Sequence, residues 1–427
     1  MSKKKGLSVG LIFSISVVAV LGLTGLLALG VLAFASTEDW TRVRGTPVPS
    51  ASTAAPSTLR PTPTLTPAPT PTATPVPTPE PTPTPVPDAR IRIRVVGDIM
   101  CHDRQIRASE QEDGSYNMTD WFEVIAPSLE QADLVIGNLE TSFAGPEEDY
   151  SGFPHFNTPD ALADALKGAG FDVLTTANNH ANDFRAAGIA RTLEVLDAAG
   201  FAHTGSYASQ EDFDQQLIVE VKGIRVGVLA YSATFNSTPK EDYHVRALSQ
   251  ELVERDVQAM RDQGADYVLC MVHWGEEYEE RADSTQRKQA AMLAECGVDA
   301  IFGSHPHVIQ TAEMLTVDDG QGGQKRVPVA YSMGNFISNQ QNRPCDMGII
   351  FEIELLRRGD TGETSLEGAR FVPTVVYRGD DGDRDTYSVL PCGVYMEKED
   401  HPKRHRCETV WEHEVELMGE GFEPMVQ

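Results

Sequence analysis

Positive charge is scarce in this sequence: 35 Lys and Arg stand against 63 Asp and Glu, a formal net charge of −28. So acidic a chain repels nucleic acid and anionic lipid surfaces, which excludes nonspecific binding to either. It also argues against a broad grip on any polyanion. Cysteine is scarce too, with six in 427 residues. None are spaced C-x-x-C, which excludes a zinc ribbon or a thioredoxin-type site. Cys270 and Cys296 lie in apolar runs and read as small buried thiols. Cys345, Cys392 and Cys407 fall in a C-terminal part that reads as loop-rich. Outside the cytoplasm two of these three could pair, and the sequence does not say which.

An uncharged run rich in Leu, Val, Ile and Ala extends from Gly6 to Ser36, behind Lys3, Lys4 and Lys5. A bilayer core needs about 20 apolar residues in a helix, and this run exceeds that. Residues 1–36 therefore read as an N-terminal transmembrane anchor. The lysines stay inside and the rest of the chain lies outside, giving a single-pass protein of the cell membrane. Ala33-Phe34-Ala35 also resembles a signal-peptide cleavage site, but a signal core spans only about 7–15 residues. Both readings export the remainder of the chain. From Thr46 to Pro87 the chain repeats Pro-Thr-Pro units, so residues 37–89 read as a disordered, extended Pro/Thr-rich stalk. At about 3.1 Å per residue, some forty residues reach on the order of 120 Å.

Beyond the stalk a local pattern recurs. A helix ends near Gly, a hydrophobic strand comes next, and Asn, His or acidic residues close it. QADLVIGNLE, GFDVLTTANNH, GADYVLCMVHWG and GVDAIFGSHPH all fit it, and RIRVVGD opens the series. Apolar spacing predicts helices over Ala161–Ala169, Ala187–Ala199, Gln250–Gln263 and Thr285–Glu295. Gly170, Gly200, Gly264 and Gly297 stand where C-terminal caps belong. Alternating strands and helices imply an α/β fold with a largely parallel sheet flanked by helices. Val327–Phe336, Met347–Leu356 and Ala369–Tyr377 lack intervening helices. They read as a second, more antiparallel C-terminal sheet packed on the first, completing a layered sandwich.

Parallel strands bring their C-terminal ends to one edge, where ligands bind. Asp98, Asn138, Glu140, Asn178, Asn179, His180, His273, His305 and His307 all come at the ends of strands, so they should converge there. Imidazole, amide and carboxylate groups at loop tips suit divalent cations such as Mn, Fe or Zn, and a carboxylate can bridge two of them. Each residue also has an ordinary reading: Asp98 as a helix cap, Asn138 and Asn178 as turn residues, His273 as a core histidine.

The motifs G-D-I-M at Gly97–Met100, N-L-E at Asn138–Glu140 and N-N-H-x-x-D at Asn178–Asp183 resemble, in order, those of the CapA family of poly-γ-glutamate capsule synthesis proteins. H-W-G at His273–Gly275, S-H-P-H at Ser304–His307 and Y-S-M-G-N-F at Tyr331–Phe336 extend the resemblance. That family is similar to calcineurin-like metallophosphatases. The resemblance implies a metallophosphatase-like fold over 90–345, with 346–427 as C-terminal strands and a loop-rich extension of the same domain. It implies one or two divalent ions held by Asp98, Glu140, Asn179, His273, His305 and His307. His180 would stabilise the transition state, and Asp183 would orient it. It also implies poly-γ-glutamate and other capsule-synthesis membrane subunits as partners, in capsule synthesis, export or anchoring. A metal-dependent phosphoesterase acting on a wall or lipid-linked phosphate is the alternative, and a nonenzymatic scaffold a third. The usual first motif is Asp-x-His, but Met100 stands in the His position. His102 lies two residues further on and is the nearest replacement.

Overall fold

The structure is a computed structural model and describes residues 86–427 apart from 321, 341–343, 381, 383 and 420. The anchor expected at 1–36 and nearly all of the stalk expected at 37–89 lie outside the described residues. No helix among the described residues is long and apolar enough to cross a membrane.

The chain builds β1 (Ala89–Ile99), β2 (Leu134–Leu139), β3 (Val173–Thr175), β4 (Ala202–Thr204), β5 (Leu217–Val221), β6 (Ile224–Ser232), β7 (Tyr267–His273) and β8 (Ala300–Ser304). It continues with β9 (Ala312–Asp318), β10 (Gln324–Ala330), β11 (Asn335–Ile337), β12 (Met347–Arg357), β13 (Thr364–Asp380), β14 (Asp385–Pro391) and β15 (Glu423–Pro424). One sheet runs β14-β13-β12-β1-β2-β3-β4, with β11 on β1 and β15 on β13. The other runs β5-β6-β7-β8-β10-β9. β1 to β4 pair in parallel, as do β6, β7, β8 and β10.

The α/β sandwich is the one expected, but its strands are allotted differently. The repeated units split between two sheets, β1–β4 in one and β6–β8 in the other. The C-terminal strands form no separate sheet: β12 pairs antiparallel with β1 over Ala89–Val96, and β13 and β14 extend the same sheet. The expected strand Val327–Phe336 is two strands. β10 lies in the second sheet, Tyr331–Gly334 crosses over, and β11 joins the first. Local periodicity fixes which face a strand buries but not which partner it finds.

Alternate residues sort into layers. Ile91, Ile93, Val95 and Phe351 of the first sheet face Val226, Leu269, Met271 and Phe302 of the second in one core. Val96, Val135, Leu174 and Ile350 point outward, with Leu162 and Leu166 of the helix Ala161–Gly168 in the same cluster. Leu229, Val268, Cys270 and Ile301 do the same with Val253, Val257 and Met260 of Gln250–Asp262 and Leu293 of Ser284–Glu295. β2, β7 and β8 are buried along their whole length, as strands covered on both faces must be. The helices end where the glycines predict: Gly170, Gly200, Gly264 and Gly297 all have positive φ.

The C-terminal part is less loop-rich than expected, with helices Cys392–Met396 and Arg404–Met418. All six cysteines are free thiols, and Cys296 is only half-buried. Cys392 and Cys407, one on each of these helices, are hydrogen-bonded neighbours.

Two glycines bring the sheets together. Gly97 of β1 lies against the Gly334 carbonyl, and Gly303 of β8 against the Tyr331 carbonyl, so a methyl group at either would overlap backbone. Both neighbours belong to the crossover. Asp98 N donates to Gly334 O at 3.0 Å, and Met333 N to Gly303 O at 3.1 Å. Gly303→Ala and Gly97→Ala are each expected to destabilise by at least the ~1–3 kcal/mol of core overpacking, because backbone cannot step aside. Gly168→Ala, where a methyl group meets open space, should stabilise by up to about 1 kcal/mol. Thermal unfolding of the three variants checks this. A melting temperature unchanged in Gly303→Ala would show that the crossover does not pack as described.

Candidate metal centre

The C-terminal ends of β1, β2 and β3 in one sheet and of β7 and β8 in the other meet at the crossover. Asp98 sits one residue before the end of β1, Glu140 directly follows β2, and Asn179 and His180 lie beyond β3. His273 ends β7, and His305 and His307 follow β8. The predicted convergence is present, but it spans two facing sheets rather than one edge.

All these side chains are buried, Asp98 and Glu140 completely. Glu140, His273 and His305 bring one donor atom each within 4.8 Å of one another, and so do Asp98, Glu140 and His307. Glu140 belongs to both sets. The Oδ1 of Asn179 lies 2.9 Å from His273 Nε2 and so stands with the first set. Glu140 Oε1 is 3.6 Å from His273 Nε2 and 3.8 Å from His307 Nε2.

The hydrogen bonding is uneven. Asn138 Nδ2 donates to Asp98 Oδ1 at 2.8 Å, and Asp98 Oδ2 lies 3.0 Å from His307 Nδ1. By contrast, both oxygens of Glu140 and Nδ1 of His305 are buried with no hydrogen-bond partner in place among the described residues. An unpartnered buried carboxylate is costly, and a cation is the partner this donor set lacks. Oxygen and imidazole donors on both sides of a shared carboxylate fit divalent ions.

The electrostatics agree. Burial, then the negative charge of Asp98, holds the Glu140 carboxyl well above its ordinary range. Burial pushes Asp98 up as well, but the hydrogen bond and charge of His307 outweigh it and leave the group low. Burial, then the neighbouring His305 and His307, holds His273 well below the usual imidazole value. Burial, then His307, lowers His305 to about 4. Both rings are thus kept neutral, the form that ligates.

Backbone and neighbours fix these groups. His305 and His307 have φ of 99° and 57°, in the left-handed region, on either side of Pro306. Such conformations cost on the order of 1–3 kcal/mol each and survive where the surroundings enforce them. Ser304 Oγ lies 3.0 Å from His273 Nδ1 and sets that ring's orientation. Gln286 Nε2 donates to Gln310 Oε1 at 2.8 Å, and Gln310 Nε2 to Glu279 O at 2.7 Å, tying the loops after β7 and β8 together.

His180 stands beside the donor sets. Its Nδ1 is 2.8 Å from Asp183 Oδ2, which also accepts from Phe156 N at 2.8 Å. A carboxylate only accepts, so Nδ1 carries the proton and Nε2 is left free to exchange one. Phe156 packs edge-on against the ring at 4.6 Å, and Asn236 Nδ2 lies 3.3 Å from Nε2.

Asn178 shapes the turn, donating to Leu139 O at 2.8 Å while its Oδ1 accepts from His180 N at 3.1 Å. His102 belongs to neither donor set. Its Nδ1 accepts from Asn339 N at 3.2 Å. Ser304, Phe156 and Asn236 were not singled out in the sequence. Ser304 lies inside a motif read for its histidines, and the other two lie in loops without periodic pattern.

The profile described as "Bacterial capsule synthesis protein PGA_cap" matches residues 92–340. This chain belongs to that family. It is similar to "Capsule biosynthesis protein CapA" of Bacillus anthracis, 28% identical over 264 residues, which cover 59% of this chain and 60% of that protein. It is similar also to "PGA biosynthesis protein CapA" of Bacillus subtilis (strain 168), 27% identical over 256 residues, 57% of this chain and 62% of that one. The chain thus spans about 60% of the length of these PGA_cap relatives. Among solved structures, the calcineurin-like phosphoesterase YfkN from Bacillus subtilis superposes with a TM-score of 0.42 at 14% identity, over 67% of this chain and 91% of that one. A phosphatase from Mycoplasma pneumoniae gives 0.40 at 14% identity, over 67% and 94%.

His102 offers a pH test within this PGA_cap site. Burial lowers it to about 4, with the bond to Gln105 opposing and His307 adding to the fall. The unfolded chain titrates near pH 6.5, so between about 6.5 and 4 only the unfolded state takes up this proton. Stability is therefore lost as pH falls through that window. In chelated protein, His102→Gln should show a smaller drop in melting temperature from pH 7 to about pH 4.5 than the parent. Its metal content should match the parent's, and a loss of metal would make His102 a ligand after all.

Proposed function

We propose that this chain acts outside the cytoplasm, held to the membrane by the run Gly6–Ser36, in the synthesis, export or anchoring of a poly-γ-glutamate capsule. Its buried cluster is the working site, a centre for one or two divalent ions of Mn, Fe or Zn. One observation carries the metal reading: two donor sets share Glu140, whose buried oxygens have no other partner. The names of the two CapA relatives support the capsule role. Poly-γ-glutamate and membrane subunits of the same pathway are the partners this reading implies.

When bound, such ions supply Lewis acidity toward an oxyanion or carbonyl oxygen. The protein's own part is then positional. Asp98, Glu140, Asn179, His273, His305 and His307 hold charge in a water-poor pocket where it acts strongly. Asp183 fixes the His180 ring, and Nε2 of His180 moves a proton to or from the reacting oxygen. This dyad is what favours a second reading, a metal-dependent phosphoesterase acting on a wall or lipid-linked phosphate, since passive ion binding needs no oriented histidine.

Deleting the gene should abolish surface polymer, and the full-length protein should restore it while His305→Ala does not. His180→Ala should leave bound metal unchanged but lower activity about 10²–10⁴-fold, the usual share of a proton-transferring group. Polymer measured on the cell surface and metal measured on the purified protein decide the matter. Undiminished polymer without the gene ends the capsule reading. Turnover of phosphodiesters that needs both metal and His180 would establish the phosphoesterase.

A further inference from the structure

The two donor sets are not equivalent. One has four protein donors, Glu140, Asn179, His273 and His305; the unpartnered oxygens of Glu140 are common to both sets, while the unpartnered His305 Nδ1 belongs to this one alone. The other has three, Asp98, Glu140 and His307; each set holds one internal contact, Asp98 Oδ2 to His307 Nδ1 at 3.0 Å here and Asn179 Oδ1 to His273 Nε2 at 2.9 Å in the first, so the number of donors is what separates them. Neither Met100 nor His102 adds a fourth donor. Met100 is buried with a thioether, a poor ligand for hard ions, and His102 stands in neither donor set.

Closed four-donor shells retain their ion, whereas three protein donors leave a position open for water or substrate. We propose that Glu140, Asn179, His273 and His305 hold a resident divalent cation, while Asp98, Glu140 and His307 hold an exchangeable one whose open positions receive an oxyanion. The proposal rests on the cluster being a metal centre.

The surroundings make that second ion necessary for the anion. Glu276, Glu277, Glu279 and Glu280 occupy the exposed part of the loop after β7. The charge of Glu277 reaches both Glu140 and His305. An oxyanion approaching the cluster past Glu277 is repelled until the exchangeable cation is in place. Binding of the two is therefore coupled, and by linkage each strengthens the other by the same factor.

The experiment uses full-length protein in detergent, stripped by chelator, reloaded with Mn²⁺, desalted and analysed for metal, with calorimetric titration of any further ion. One ion per chain should survive desalting, and a second should bind at least about tenfold more weakly, since even the loss of an outer partner costs 10–100-fold in affinity. Asp98→Asn should remove the weak ion and spare the retained one. Asn179→Ala should loosen the retained ion. Met100→His, which leaves every present donor in place, should tighten the weak ion alone. Inorganic phosphate and a γ-glutamyl oligomer form two arms: whichever class the site takes should tighten the weak ion severalfold and should not bind chelated protein. Two ions retained equally, or a retained ion lost in Asp98→Asn but kept in Asn179→Ala, would overturn the ranking. No effect of either anion would overturn the open-position assignment. Protein that binds no ion at all, with its fold intact by circular dichroism, would instead bring down the metal centre itself.

Discussion

The site depends on how closely two sheets approach at one point. β1 and β8 can face each other with the Tyr331–Gly334 crossover between them only because Gly97 and Gly303 carry no side chain there. That contact sets Asp98, one residue beyond Gly97, opposite His305, two beyond Gly303. The rest of the cluster is a consequence, because parallel pairing brings Glu140, Asn179 and His273 to the same depth from neighbouring strands. Glu140 then stands between ligands of both sheets.

Much of this was legible in the sequence, for identifiable reasons. The helices are amphipathic with glycine at their ends, and all four appear within two residues of their expected bounds. The polar residues come directly after their strands, so their convergence needed only parallel pairing. Strand partners were not legible. β12 and β13 read as ordinary apolar strands, and nothing local states that β12 lies on β1 rather than in a sheet of its own. The split of Val327–Phe336 between sheets was hidden as well, because Ser332 and Gly334 inside an apolar run look like an ordinary interruption. The supports of the ligands escaped notice for a related reason. Phe156 and Asn236 act through tertiary contacts with His180 and Asn179 and carry no spacing signal.

The acidic balance of the whole chain and the chemistry of the cluster are parts of one arrangement. A surface with few cations cannot hold an anionic polymer along its length. On the proposed reading, recognition of an anion is then concentrated where cations can be held by buried donors, at the neutral imidazoles and the shared carboxylate. The interior also keeps water away from charges that solvent would otherwise screen.

The pairing of β12 with β1 bears on where this protein can be cut. The family match ends at residue 340, before β12 begins at Met347. A fragment trimmed to that match would leave the strand carrying Asp98 with a bare row of amides and carbonyls over Ala89–Val96. Exposed strand edges of that kind recruit other chains. The boundary seen by sequence comparison and the boundary of the folding unit are therefore different, and the 87 residues beyond the match (427 − 340) belong to the scaffold that holds Asp98 in place.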